Sequence, residues 1–427
     1  MRDLLFLSQR IPYPPNKGDK IRSWHFFEHF AHTHRIHLGC FVDDPADEPH
    51  VPTIEALCAS SLIRRIQPRL RRIRSLAGLA TGEALTLPYF RDAALSSWVS
   101  ETIRRCDPEL VFVYSSAAAQ YVPLGPGEHR RFRCVVDMVD VDSAKWRQYA
   151  ERMSGPFRWI YRREGERLLA FEREVALRAD RTLFVSRPEA DLFRRMAPEA
   201  ADKVDHVDNG VDLAFFRPAD PDDMASPFPP GRPVIVFTGM MDYWPNVDAV
   251  TWFAEAVWPA VRRRCPDALF AVVGANPGPA VTRLAERDGG GGGGILVTGR
   301  VPDIRPYLAH AALAVAPLRV ARGVQNKVLE AMAMAKAVVA SPQALEGIDA
   351  APGRDLLVAE EAEAFAAAVV RQIEAGEEAR GALGAAARRY VLGRHDWSGN
   401  LARLSRLCFG DAPAAAGTVA AAALSAE

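Results

Sequence analysis

The stretch Arg322-Gly-Val-Gln-Asn-Lys-Val-Leu-Glu-Ala-Met-Ala-Met334 sets a glycine-containing loop, a lysine and a glutamate at the start of a helical pattern. Val328, Leu329, Met332 and Ala333 recur at the spacing of a buried helix face. Amides at a helix N-terminus, helped by the positive end of the helix dipole, can hold a diphosphate. Lys327 adds a charge beside that point, and Glu330, one turn on, offers two acceptor oxygens to a pair of sugar hydroxyls. The same residues also fit an ordinary amphipathic helix of an α/β domain, so the surrounding chain has to decide.

Outward from this stretch, short apolar runs alternate with longer helical patterns, the mark of βαβ units and parallel sheets covered on both faces. Strands are expected at 4–7, 36–42, 110–114, 134–137, 182–186 and 204–207 in the first half. In the second half they are expected at 234–238, 269–273, 295–298, 313–316, 337–340 and 356–358. Between the halves, Phe216-Arg-Pro-Ala-Asp-Pro-Asp-Asp-Met-Ala-Ser-Pro-Phe-Pro-Pro-Gly231 is too rich in proline to continue a helix or a central strand, and reads as a linker. Each half can then build its own sheet. Gly289–Gly294 precede a strand instead of following one, so they read as a flexible loop and not as a dinucleotide fingerprint.

Lysine plus arginine equals aspartate plus glutamate at 53 each among 427 residues, so no global charge excess calls for nucleic acid. Six cysteines without C-x-x-C spacing read as reduced, packed thiols of a cytosolic protein. No run approaches the roughly 18 apolar residues of a membrane span. Met1–Ser8 reads as a first strand and not as a secretory leader.

Several segments can carry chemistry. Asn16-Lys-Gly-Asp19 follows the first strand, where open α/β sheets place ligands, and Gly18 permits close backbone approach. Asp140 and Asp142 sit at a strand end, able to orient a hydroxyl nucleophile or act as general base, or simply to serve the turn, with Ser143 as the expected N-cap. Gly239 leads to a second strand-to-helix turn in which Asn246 caps a helix, contacts ligand, or does both. His25, His29 and His32 would share a helix face, but without carboxylate or cysteine partners at ligand spacing they read as a solvated helix end and not a metal site. Leu62–Arg74 has six arginines and no acid, interleaved with aliphatics, which suits an anionic membrane surface or a solvated face.

Taken together, the loop ending at Gly18, Ala179-Asp-Arg-Thr-Leu-Phe-Val-Ser186, Asn209-Gly-Val-Asp212, Val297-Thr-Gly-Arg-Val301 and Lys327-Val-Leu-Glu-Ala-Met-Ala333 resemble the retaining GT-B glycosyltransferases of family 4. Gln9–Asp19, Asp140–Trp146 and Arg322–Glu330 look like the sugar transferases associated with exosortase (PEP-CTERM) and exopolysaccharide loci. The resemblance implies an α/β, GT-B fold of two Rossmann-like domains facing a cleft. The expected division is an acceptor-binding domain at 1–212, a linker at 213–232, a nucleotide-sugar-binding domain at 233–394, a crossover helix at 395–410 packing back on the first domain, and a disordered alanine-rich tail at 411–427.

It further implies transfer of a sugar from a UDP- or GDP-sugar to a hydroxyl of a lipid-linked or growing glycan. No cofactor or metal is called for, and the enzyme would be cytoplasmic, peripheral on the inner face of the membrane through Arg64–Arg74. In the family's E-x7-E pattern the second glutamate, on the ribose, falls on Glu330, while Arg322 replaces the first. Met240 and Pro245 stand where many relatives carry an arginine and a lysine for the diphosphate. Lys327, Arg322, Arg319 and the amides of Gly323, Val324 and Gln325 are the available replacements, with Gly239 and Asn246 completing the donor side. Asp140, Asp142 and Arg322 are the expected catalytic residues, and Asn16, Lys17, Gly18 and Asp19 the acceptor contacts. A nucleotide-sugar epimerase, or an inactive nucleotide-sugar-binding protein, is the alternative.

Overall fold

The computed structural model describes residues 1–15, 18–125, 130–218, 224–287, 293–321 and 323–410. Expectations for Asn16, Lys17, Arg322, most of the glycine run and the tail 411–427 therefore lie outside the described residues, as does the side chain of Asp19.

Two separate, wholly parallel sheets form. The first contains β1 (Arg2–Ser8), β2 (His34–Val42), β3 (Ser60–Arg65), β4 (Leu110–Tyr114), β5 (Arg133–Val139), β6 (Arg181–Phe184) and β7 (Val204–His206), in the spatial order β3-β2-β1-β4-β5-β6-β7. The second contains β8 (Val234–Thr238), β9 (Leu269–Val273), β10 (Ile295–Val297), β11 (Leu313–Ala316), β12 (Val338–Ala340) and β13 (Leu357–Val358), in the order β10-β9-β8-β11-β12-β13. The central strands LVFVY, VIVFT and LFAVV are buried along their whole length, because helices cover both faces. In each sheet the strand order reverses next to the first strand, between β1 and β4 and between β8 and β11. Such a switch point opens a crevice at the carboxyl ends of the strands.

The arginine-rich segment 62–74 is not one surface element. Its first part is the edge strand β3, paired with β2 from His37↔Ser60 to Val42↔Arg65, and only after Gln67 does the helix Pro68–Ser75 begin. Arg64 pairs with Asp92, Arg65 with Glu48. Arg71 is buried and donates to Asp92 and to the carbonyl of Arg91.

The histidines also correct the sequence reading. His25 and His29, with His34, form the seat of the last helix, Trp397–Phe409, and not a solvated end, whereas His32 is exposed. His25 lies on Trp397 with ring centroids 4.3 Å apart, His29 Nε2 is 2.7 Å from Ser405 Oγ, and His34 stacks on Phe409 at 5.0 Å. Trp397, Leu404 and Cys408 join Leu4, Phe6, Phe26, Phe27, Phe30 and Phe112 in one core, so the chain's end completes the first lobe. Among the described residues no histidine, cysteine or acid cluster fits a metal.

One arginine ties this lobe together. Fully buried Arg22, from the helix Gly18–Ala31, donates to Asp137 on β5 (2.7 and 3.3 Å) and to the carbonyl of Phe184 at the end of β6 (3.4 Å). It also reaches the carbonyl of Val207 (2.6 Å) and Oδ1 of Asn209 beyond β7 (3.1 Å). Its guanidinium lies 4.5 Å from the Phe26 ring centroid. Asn209 starts the crossing to the second lobe. There the Val211 amide donates to the His395 carbonyl at 2.8 Å, and His395 Nδ1 lies 3.2 Å from the Asn209 carbonyl. A Cβ on Gly210 would stand 2.6 Å from the Trp397 ring, so no side chain fits between the two crossings.

Burial lowers the pKa of His25 to about 4, opposed only by Asp212, and also lowers those of His29 and His34. Such imidazoles take up protons on unfolding more readily than in the folded state. Their contribution is therefore intact above the ordinary value of 6.5 and is lost as pH falls toward 4. The melting temperature should fall between pH 6.5 and 4.5, and His25→Gln should reduce that fall. An equally steep fall in the variant would contradict this assignment.

Candidate functional site

The second-lobe half of the site lies at the β8/β11 switch point. After β8 the chain turns at Gly239, and the helix Trp244–Trp252 begins with Tyr243 at its cap position. Asn246 therefore sits inside the first turn and is not the cap that the sequence suggested. Its buried amide donates to the carbonyl of Met240 at 2.9 Å, and its Oδ1 accepts from Lys327 Nζ at 2.9 Å. Gly239 is against the same pair: a Cβ there would stand 2.7 Å from Asn246 Nδ2 and 3.3 Å from Lys327 Cε.

Lys327 is the second residue of the helix Asn326–Ala333, whose cap residue Gln325 makes no side-chain capping bond. The amides of its first turn are thus not spent on a side-chain cap, which suits an anion. Val328, Leu329, Ala331, Met332 and Ala333 are buried, as the sequence pattern required. Burial brings the Lys327 pKa down to about 8 against the pull of Glu330, and pushes Glu330 up to about 7 against the pull of Lys327. Both charges are held in a poorly hydrated place, the condition under which an arriving anion or diol gains most from them.

Gly323 closes the loop before this helix with φ +67, in the left-handed region. A Cβ there would lie 3.1 Å from Asp140 Oδ1 and 3.4 Å from Val185, both of the first lobe. Gln325 Nε2 donates to the Gly323 carbonyl at 3.1 Å. Val324 packs beside Gly347, whose other neighbour is Ser186 at the first-lobe helix Arg187–Met196. Two loops of the second lobe thus face two strand ends of the first. Arg319 instead pairs with Asp248, so its fork is engaged on the helix Trp244–Trp252.

The first-lobe half is the loop after β5. Val139 has φ +68, a conformation rare for a β-branched residue and of order 1–3 kcal/mol in cost. The loop is held there by buried acceptors. Glu189 takes the Val141 amide at 2.8 Å, and Glu172 takes the Ser143 amide at 3.2 Å and its hydroxyl at 2.5 Å. The helix Asp142–Arg152 begins before Ser143, which is therefore not the cap expected from sequence. Burial and the charge of Asp142 push Glu172 up to about 8.

Asp140 and Asp142 come together as expected, but on a cation: Lys145 Nζ is 2.6 Å from Asp140 and 3.2 Å from Asp142. Burial works to discharge Lys145, and the two carboxylates overcome it, holding the lysine protonated above its ordinary range. Burial also raises the pKa of Asp142, with Lys145 opposing. Sequence reasoning did not single out Lys145, although its i+3 spacing from Asp142 was a usable signal. Nor did it single out Tyr243, whose hydroxyl pKa is pushed up by burial first and then by Tyr149 and Asp140, with Lys145 opposing.

Comparison with known proteins bears on the fold. Residues 232–375 match the family described as glycosyl transferases group 1. No curated protein sequence matches the chain. Among solved structures, sucrose-phosphate synthase from Thermosynechococcus elongatus superposes with TM-score 0.70 at 18% identity, covering 95% of this chain and 98% of that one. HepE of Anabaena, solved in complex with UDP, gives 0.65 at 16% identity over 95% and 99%. WaaG, a glycosyltransferase involved in lipopolysaccharide biosynthesis, gives 0.62 at 14% identity over 96% and 100%. The chain has the two-lobed GT-B glycosyltransferase fold, and its second lobe carries the group 1 glycosyl transferase match.

Proposed function

We propose that this protein transfers a sugar from a nucleoside diphosphate sugar to a hydroxyl of a lipid-linked or growing glycan, with retention, in the synthesis of an exopolysaccharide or other cell-surface polysaccharide. The observation that carries this reading is the convergence of Gly239, Asn246, Lys327 and Glu330 at the β8/β11 switch point, opposite Asp140 and Lys145. The group 1 match over residues 232–375 supports the reaction class, and the HepE complexes with UDP and with UDP-glucose support a nucleotide-sugar donor. Family 4 membership, retention and the exosortase-associated setting rest on the motif resemblance, and a place on the inner face of the cytoplasmic membrane rests on the arginine-rich segment 64–74.

In this reading Glu330 accepts from the ribose hydroxyls, and Lys327 with the first-turn amides takes the diphosphate. As the bond from sugar to phosphate breaks, charge grows on the leaving diphosphate, where a fixed cation and aligned amides stabilise it most. Asp140 and Asp142, bridged by Lys145, orient the acceptor hydroxyl. The leaving phosphate takes the acceptor's proton on the same face.

Three measurements test this reading. A thermal-shift panel of UDP and GDP should show one clear winner, since a ligand at a hundred times its Kd stabilises by about 2.7 kcal/mol; no shift with either would refute the donor site. Glu330→Gln should weaken that nucleotide about tenfold by calorimetry, the loss of hydrogen bonds to a charged acceptor; unchanged affinity would remove Glu330 from the ribose. An anion binds the protonated lysine, so affinity should fall as pH rises past about 8, by at most about tenfold per pH unit for one linked proton. Lys327→Gln should bind weakly with a flatter pH profile, and a wild-type profile flat from pH 7 to 9 would exclude Lys327 from the diphosphate.

A further inference from the structure

The first lobe exposes large apolar side chains in one region, fed by two elements. On the helix Pro68–Ser75 and the following short helix Ala77–Thr81, Leu70 and Ile73 are 50% and 67% exposed, and Leu76 and Leu79 continue the row. At the start of the long helix Gly155–Arg178, Phe157 and Trp159 are each 60% exposed. Isolated surface hydrophobics are ordinary, but a contiguous group marks an interaction site.

These two elements are fixed to each other. Arg163, one turn beyond Trp159, donates to the carbonyls of Gly78 (2.7 Å) and Glu83 (3.0 Å). Glu164 accepts from the amide and hydroxyl of Thr86, at 2.9 and 2.7 Å. Arginine outnumbers acid around the region: residues 68–82 contain four arginines and no acid, and beside Trp159 stand Arg162, Arg163 and Arg167 against Glu166. Arg71 is spent on Asp92, whereas Arg69, Arg72, Arg74 and Arg158 are exposed.

We infer that this face is a docking surface for an anionic lipid bilayer. Apolar side chains framed by arginine match the boundary between acyl chains and acidic headgroups, with the aliphatics and Trp159 entering and the guanidinium groups staying at the phosphates. A second copy of the chain is a poor occupant, because a self-complementary contact would set arginine against arginine. The surface also has a geometric link to the cleft. The helix Asp142–Arg152 starts at the Asp142–Lys145 pair and ends just before Phe157, and its 11 residues span about 16 Å. A bilayer held there lies one helix length from the acceptor side, which suits a lipid-linked acceptor; this last point alone rests on the proposed function.

The full chain should be sedimented with vesicles of phosphatidylglycerol and phosphatidylcholine, and with phosphatidylcholine alone. Binding is expected only to the anionic vesicles, weakening with salt, together with a blue shift of fluorescence that is lost in Trp159→Phe. The triple variant Arg69→Gln, Arg72→Gln, Arg74→Gln should lose roughly a hundredfold in vesicle affinity, several-fold for each charge. Leu70→Ser with Ile73→Ser should also bind weakly while keeping every charge. All variants should keep the wild-type melting temperature and nucleotide binding. Equal sedimentation of wild type and the triple variant, equal binding to neutral vesicles, concentration-dependent dimerisation abolished by the Leu70/Ile73 variant, or tighter binding to an oligonucleotide than to vesicles would each overturn the inference. Vesicle binding without nucleotide binding would sink the proposed function instead.

Discussion

The guanidinium of Arg22 is the contact on which the arrangement of the first lobe depends. With no exposed surface and five hydrogen bonds, it joins the helix Gly18–Ala31 to the ends of β5 and β6 and to the chain leaving β7. Burying a charged pair such as Arg22–Asp137 is expensive, and removing one partner typically costs about 3–5 kcal/mol because the other is left without compensation. What the pair yields is position. Asp137 lies two residues before Val139, so the strained turn that presents Asp140 and Asp142 starts from a clamped strand.

The two halves of the cleft are organised by opposite means. The first-lobe loop is held by buried acids at its back, Asp137, Glu172 and Glu189, and shows the cleft two carboxylates clamped on one lysine. The second-lobe half relies on a glycine turn and a helix start, with Lys327 and Glu330 kept in a dehydrated place where each is easily discharged. A cation whose charged partner among the described residues can lose its own charge, as Glu330 can, is open to a new anion. A cation clasped by two carboxylates, as Lys145 is, is not. In the proposed function that contrast separates the lobe that takes the diphosphate from the lobe that takes the acceptor hydroxyl.

Much of this architecture could be read along the chain because the information was local. Runs such as Leu110–Tyr114 and Val234–Thr238 are apolar at every position, and only a strand covered on both faces needs that. The Gly323–Glu330 segment carried its loop, charges and buried stripe within one turn of each other. What escaped depended on distant partners. β3, Ser-Ser-Leu-Ile-Arg-Arg, is two-thirds polar and becomes a strand only because β2 lies beside it. The histidines gave no sign that Ser405, 376 positions away, would cover them. Arg22 looks like any arginine on an amphipathic helix until three strand ends converge on it. Ser143 and Asn246 have the chemistry of caps, but buried Glu172 in one case and Lys327 in the other compete for the same side chains.

The return of the last helix has a mechanical consequence. The chain passes between lobes twice, at Asn209–Asp212 and at His395–Trp397, and the two passages are bonded to one another. The helix Gly376–Arg394 belongs to the second lobe through Ala387 and Val391, while the next helix belongs to the first. A pair of rigid bodies joined along one bonded seam cannot slide or separate without tearing it. They can swing about it like a book on its spine, so any widening at the cleft is paid out as torsion in the few backbone angles flanking Gly210 and His395.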